Sequence, residues 1–296
     1  MSASEKRRLD FFPIFLMGSL FVVTYGLALS VVSPFEAAGV KAFVNPDDPW
    51  NLAYFFLTLI VVTVAILLVS RFWKKQLVQG IVLGSVGLLA VYVFYPLLCI
   101  LIPDLWALGF SIAAAAVLVI VLLKYPEWYV VDICGVLVGT GSIVMFGISL
   151  NISLVIVAMS IYDALSVYRT KHMIDLADTV LDLKLPVLLV IPKVRGYSLV
   201  KETKSLKEKL QKGEKRETFI LGLGDIIMPG ILVVSAFHNL TSNALPVALA
   251  VILGTLAGFT LLMAAVLKGK PQAGLPFLCS GAILGYVVSS YLIFGG

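Results

Sequence analysis

The sequence predicts an all-α, polytopic membrane bundle of nine helices. Three observations predict it. Hydrophobic residues make up 60% of the 296 residues and charged residues only 13%, with a mean hydropathy of +1.04; a soluble domain carries about a quarter charged residues. The apolar residues fall in continuous runs of about 20, the helix length that crosses a ~30 Å hydrocarbon core. Finally, nine crossings place every one of the 22 lysines and arginines except Lys41 on one side of the membrane, as the positive-inside rule demands.

The expected spans are 11–35, 51–70, 78–101, 105–123, 128–147, 150–168, 219–237, 244–267 and 273–294. A β-barrel would need alternating segments of about ten residues, and these runs are longer and unbroken. The run from Phe11 to Phe35 is too long for a signal-peptide core, and no small-residue cleavage site follows it. Pro96 and Pro103 punctuate the junction of the third and fourth spans. The chain divides into a six-span part (1–168), a polar connection (169–217) and a three-span part (218–296). The basic residues predict a cytoplasmic N-terminus, an external C-terminus and residence in the cell membrane.

The net charge of +5 follows this topology signal and calls for no nucleic-acid partner. Cys99, Cys134 and Cys279 all lie in apolar runs without a CxxC pair, so they read as small buried hydrophobes, with no disulfide framework or metal site. In the connection, Met173 to Leu185 alternates acids and apolar residues at helical spacing and predicts an interfacial helix. Pro186 to Pro192 encloses a β-prone run, and Lys201 to Glu217 is mixed-charge and polar.

Three acids lie inside spans: Asp132, Asp163 and Asp225. An unpaired charge at the bilayer centre costs at least ~2.5–3.5 kcal/mol. Asp132 follows Glu127 at the cytoplasmic start of its span, close enough to the headgroups to stay wet, and reads as a structural or interfacial residue. Asp163 lies six residues before Arg169, and Asp225 nine residues after Arg216. On helices they sit about 9 and 13 Å below the basic flank. Two acids at similar depth on consecutive antiparallel helices can face each other. Gly222 and Gly224 reduce bulk beside Asp225, and Pro229 lacks the N–H that would bond the Asp225 carbonyl. Position alone fits either a proton relay in a transporter or a pair of catalytic carboxyls.

The words around the two acids narrow the choice. The sixth span reads Ser160-Ile161-Tyr162-Asp163, and the seventh reads Leu221-Gly222-Leu223-Gly224-Asp225-Ile226-Ile227-Met228-Pro229-Gly230. These resemble the YD and GxGD motifs of the presenilin and signal peptide peptidase family of intramembrane aspartyl proteases. The resemblance covers the whole chain. It implies a presenilin-like fold, Asp163 and Asp225 as catalytic residues, and substrate contacts at Tyr162, Gly222, Leu223 and Gly224. The family's third motif, Pro-Ala-Leu, is matched in register by Ala273-Gly274-Leu275 before Pro276, with only the leucine kept; these four positions are the remaining expected substrate contacts. The wording of GLGD followed by Pro-Gly resembles the signal peptide peptidase branch, whereas the charge distribution is presenilin-like, a mixture expected of a prokaryotic, archaeal-type homologue.

The implied reaction is hydrolysis of peptide bonds within transmembrane helices, with no cofactor or metal. The implied substrates are single-pass membrane proteins or remnant signal peptides in the lipid bilayer. The family picture also implies that an unwound substrate segment adds as a strand, with Pro186–Pro192 and the GLGD edge as the candidate partners. No obligate protein partner is indicated, and self-association is compatible with the sequence. The alternative from another class is a proton-coupled secondary transporter using Asp163 and Asp225 as a relay. A prepilin-peptidase-type protease also carries GxGD, but nine spans and a matched YD disfavour it.

Overall fold

In lipid, backbone polar groups must be satisfied within the protein, so apolar runs of this length fold as helices. The computed structural model describes residues 3–72, 75–168, 187–193, 196–200, 218–267 and 274–294. Among them are nine helices: α1 (Ala3–Ala37), α2 (Trp50–Phe72), α3 (Lys75–Cys99), α4 (Asp104–Lys124), α5 (Trp128–Gly147), α6 (Ile152–Tyr168), α7 (Leu223–Asn239), α8 (Ala244–Leu267) and α9 (Gly274–Phe294). Six of them, α1, α3, α4, α5, α8 and α9, are long and apolar enough over their described residues to cross a membrane. Over the same residues the apolar parts of α2, α6 and α7 are shorter: Trp50–Val62, Ile152–Tyr162 and Leu223–Asn239. Pro96 does not interrupt the chain but lies inside α3, three residues before its end, whereas Pro103 caps α4, so only Pro103 marks the α3–α4 turn. The expected interfacial helix at 173–185 and the segment 201–217 lie outside the described residues.

The seventh span departs from expectation. Residues 219–222 are not helical: Thr218–Gly222 forms strand β2, antiparallel to β1 (Leu188–Pro192), with Leu188 opposite Gly222 and Pro192 opposite Thr218. Thr218, Phe219 and Ile220 are β-branched or aromatic and suit a strand. Hydropathy is blind to the difference, because a buried strand and a buried helix are equally apolar.

α7 is the hub. It packs against α1, α5, α6, α8 and α9, and nearly all its side chains from Leu223 to Ala236 are buried. α4 lies outside, presenting Leu105, Trp106, Phe110 and Val117 to the surroundings. The tightest helix pair is α8–α9. A Cβ on Gly254 would strike the Gly281 carbonyl, one on Gly258 the Phe277 carbonyl, and one on Gly285 the Ala250 carbonyl. Glycine is required there because the backbones touch.

At the bundle end opposite the 169–217 connection, loops are tied by side chains. Ala42 N–H donates to Ser149 Oγ at 2.8 Å, and Asn151 Nδ2 donates to Asp47 Oδ1 at 2.7 Å. Asn239 Nδ2 donates to the Ser235 carbonyl at 2.9 Å. Asn151 and Asn239 each begin an Asn-x-Ser/Thr triplet, and both side-chain amides are hydrogen-bonded within the protein. His238 Nδ1 lies 3.2 Å from Glu36 Oε1. Cys134 and Cys279 are buried and Cys99 half-buried, all three unbridged.

The α8–α9 contact gives a stability prediction. Gly258→Leu forces the helices apart and is expected to cost about 3 kcal/mol, the upper end of overpacking, read as a lowered Tm in detergent; Gly26→Leu, at an open position, is the control and is expected to leave Tm unchanged.

Candidate active site

Three helices carry the motif residues, and each packs against the other two. α6 bears Tyr162 and Asp163, α7 bears Asp225, and α9 begins with Gly274, Leu275 and Pro276. Asp163 falls in the last two turns of α6 and Asp225 in the first turn of α7, so both adjoin the same connection. The side chain of Asp163 and the whole of Ala273 lie outside the described residues. Tyr162 is half-buried.

Asp225 is held by the strand-to-helix change that the sequence reading missed. Gly222 ends β2 in an extended conformation (φ −65°, ψ 137°) and caps α7. It therefore does not share a helix face with Asp225. Instead Asp225, three residues on, turns its carboxyl back towards the Gly222 N–H, the reach-back arrangement of a helix N-terminus. The helix dipole favours a negative charge at this point. The carboxyl is buried, at 6% exposure.

Two glycines form its walls. A Cβ on Gly222 would sit 3.4 Å from Asp225 Oδ2, and one on Gly274 3.1 Å from the same oxygen and 3.4 Å from Cγ. Gly274 thus brings the α9 backbone directly against the carboxyl, and any larger side chain there would press on it. Leu275 is buried beside it, while Pro276 is half-buried. Leu223 is buried against α5, where a Cβ on Gly139 would lie 3.3 Å from its Cδ1. Leu223 is therefore an anchor of α7 as well as a motif residue. Gly224 differs: it is exposed, with nothing within 4 Å of its missing Cβ, so it leaves the approach to Asp225 open.

Two further supports come from outside the motifs. Pro229 deprives the Asp225 carbonyl of its helical donor, and just beyond, Tyr25 of α1 donates its Oη to the Ile226 carbonyl at 3.0 Å. Gly230 makes room for this ring, since a Cβ there would lie 2.8 Å from Tyr25 Cε1. A tyrosine in an apolar span carries no sequence signal for this role. The second support is Asp132. It is not wet but buried at 5% exposure, and its Oδ1 accepts the Val190 N–H at 2.8 Å.

That bond has a geometric meaning. Leu223 N–H donates to the Val187 carbonyl at 2.9 Å. Hydrogen-bonded pairs alternate along an antiparallel ladder, so Leu189–Leu221 and Ile191–Phe219 are the bonded pairs. Val190 faces away from β2, and Asp132 closes that outer edge of β1 at its middle. On β2 the outward-facing backbone groups belong to Thr218, Ile220 and Gly222.

The comparisons with known proteins agree with one another. A family model described as signal-peptide peptidase, presenilin aspartyl protease matches residues 18–295. The chain belongs to that family. A structure of a presenilin family intramembrane aspartate protease in the C222 space group is 30% identical, covering 96% of this chain and 99% of its own, with a TM-score of 0.67. A structure of such a protease in the P2 space group is 33% identical, covering 93% and 96%, with a TM-score of 0.68. The comparison with curated proteins gives no match. This presenilin and signal-peptide peptidase relative is therefore an integral, multi-pass membrane protein of a family of intramembrane aspartyl proteases. Nothing in these relationships supports the transporter reading.

Tyr25→Phe keeps the ring and removes one buried hydrogen bond. It is expected to lower stability by about 1 kcal/mol, measured by thermal unfolding in detergent.

Proposed function

We propose that Asp163 and Asp225 form the catalytic dyad of a GxGD-type protease that cuts peptide bonds within transmembrane helices. The observation that carries this reading is the setting of Asp225. Its carboxyl is buried between two glycine backbones, on a helix packed against the helix that bears Asp163. The site opens at Gly224.

Two nearby carboxyls do not both ionise easily, so they share one proton. The ionised member takes a proton from water as the water oxygen attacks the scissile carbonyl carbon. The protonated member gives its proton to the carbonyl oxygen, yielding a gem-diol. The C–N bond then breaks: the amine takes up the proton from one carboxyl while a gem-diol hydroxyl gives its proton to the other, leaving a carboxylic acid, a free amine and a singly protonated pair. The pair titrates as a unit, so neither aspartate is given a fixed role.

The substrates are read as single-pass transmembrane segments or remnant signal peptides. A substrate helix hides its backbone and must unwind before attack. The unwound segment is expected to add to the outer edge of β2 at Ile220, next to Gly222 whose N–H faces Asp225, because Asp132 already occupies the β1 edge at Val190. Tyr162, Gly274, Leu275 and Pro276, with Ala273 before them, are the expected substrate-facing residues. The basic residues support a cytoplasmic N-terminus and connection, an external C-terminus, and the cell membrane as location.

Either Asp163→Asn or Asp225→Asn is expected to abolish cleavage of a labelled single-span substrate by purified protein, a loss of at least about 10³-fold for a general acid–base group; wild-type cleavage by either variant sinks the proposal. The strand edge is tested separately. Ile220→Pro removes an outward N–H without touching the β1–β2 ladder, and a large rise in KM with unchanged Tm is expected. An unchanged KM would contradict strand addition at β2.

A further inference from the structure

Asp132 is the intramembrane acid that the dyad leaves without a role. It lies in the first two turns of α5, buried, with the Val190 N–H on its Oδ1 at 2.8 Å. Glu127, the N-cap residue of the same helix, holds the chain beyond β1: Oε1 accepts from Ser198 Oγ at 2.7 Å and Oε2 from Leu199 N–H at 3.1 Å. Two carboxyls at one helix end thus clamp β1 and the segment that follows it. Leu199 and Val190 are buried in one small cluster with Leu83, Leu122, Val131 and Cys134. β1 in turn fixes β2 through the ladder, and β2 runs straight into Leu223 and Asp225.

We propose that Asp132 is a positioning residue for proteolysis: by closing the outer edge of β1 it confines an added substrate strand to the β2 edge and fixes the register presented to Asp225. The inference rests on the protease reading above. A strand on the β1 edge would lie about three strand spacings of ~4.8 Å from one added on the β2 edge, and its peptide bonds would lie far from Asp225. On the β2 edge, a slip of one residue moves the scissile bond by about 3.3 Å and turns every side chain to the other face. A firmly held sheet is what prevents such slips. The function asked of Asp132 is that of a hydrogen-bond acceptor at fixed position, which asparagine retains and leucine lacks.

The test uses the full-length protein in liposomes with one single-span peptide. Cleavage positions are read by mass spectrometry, together with kcat, KM and Tm, for wild type, D132N, D132L, V190P and D225N. V190P removes the donor of the same bond while leaving the ladder intact, and so decides the matter if D132L folds poorly. D132L and V190P are expected to scatter cleavage over neighbouring bonds and to raise KM about tenfold, the order of one lost hydrogen bond. D132N is expected to restore the wild-type cleavage position. Cleavage of the same bond with unchanged KM in V190P overturns the inference, even if Tm falls, because Asp132 is then only a structural support. Wild-type cleavage by D225N overturns the protease reading itself, and the inference with it, so the two failures are distinguishable.

Discussion

The short antiparallel ladder between Leu188–Pro192 and Thr218–Gly222 places two strand edges beside a bundle made for lipid. A helix satisfies its own backbone, but a two-stranded sheet leaves one unpaired row on each side. The fold treats the two rows differently. The β1 row meets a buried carboxyl from α5 at Val190. The β2 row leads directly into the first turn of α7, where the Gly222 N–H faces the carboxyl of Asp225. Among the described residues, the site is thus built where strand becomes helix, directly after the β2 edge.

The remaining packing serves that junction. α7 is the most enclosed helix because it must hold one carboxyl fixed in a medium that opposes its charge. Gly139 lets Leu223 seat on α5, Gly230 lets Tyr25 reach the Ile226 carbonyl, and Gly274 lets α9 press its backbone on Asp225. Pro229 loosens the same helix turn that Tyr25 then ties. The close glycine contact of α8 with α9 fixes the helix that supplies Gly274 and Leu275.

Much of this was legible in the sequence. Run length and the asymmetry of lysine and arginine gave the membrane bundle, and the paired YD and GLGD words gave the family. Pro103 marked the start of α4, whereas Pro96, expected to punctuate the same junction, is carried inside α3. What stayed hidden was secondary structure at the motif itself. Phe219-Ile220-Leu221 is as apolar as any helix, so hydropathy carried the span four residues too far and set Gly222 on a helix face. For Asp132 a structural or interfacial role was legible but its burial was not: closeness to Glu127 spoke for water, whereas its partner, the Val190 N–H, lies 58 residues away in sequence. Gly274 in place of the family's alanine looked like a departure from the pattern; it is instead the position at which a side chain would crowd the carboxyl.

The central claim is that this site hydrolyses peptide bonds by carboxyl catalysis inside a membrane. The most direct measurement is cleavage of a labelled transmembrane peptide by the wild-type protein, with and without an aspartyl-protease transition-state analogue whose hydroxyl mimics the gem-diol. The account predicts cuts within the membrane-spanning part of the peptide and their suppression by the analogue. Cleavage that the analogue leaves untouched would contradict it, as would no cleavage of any such peptide by correctly folded protein.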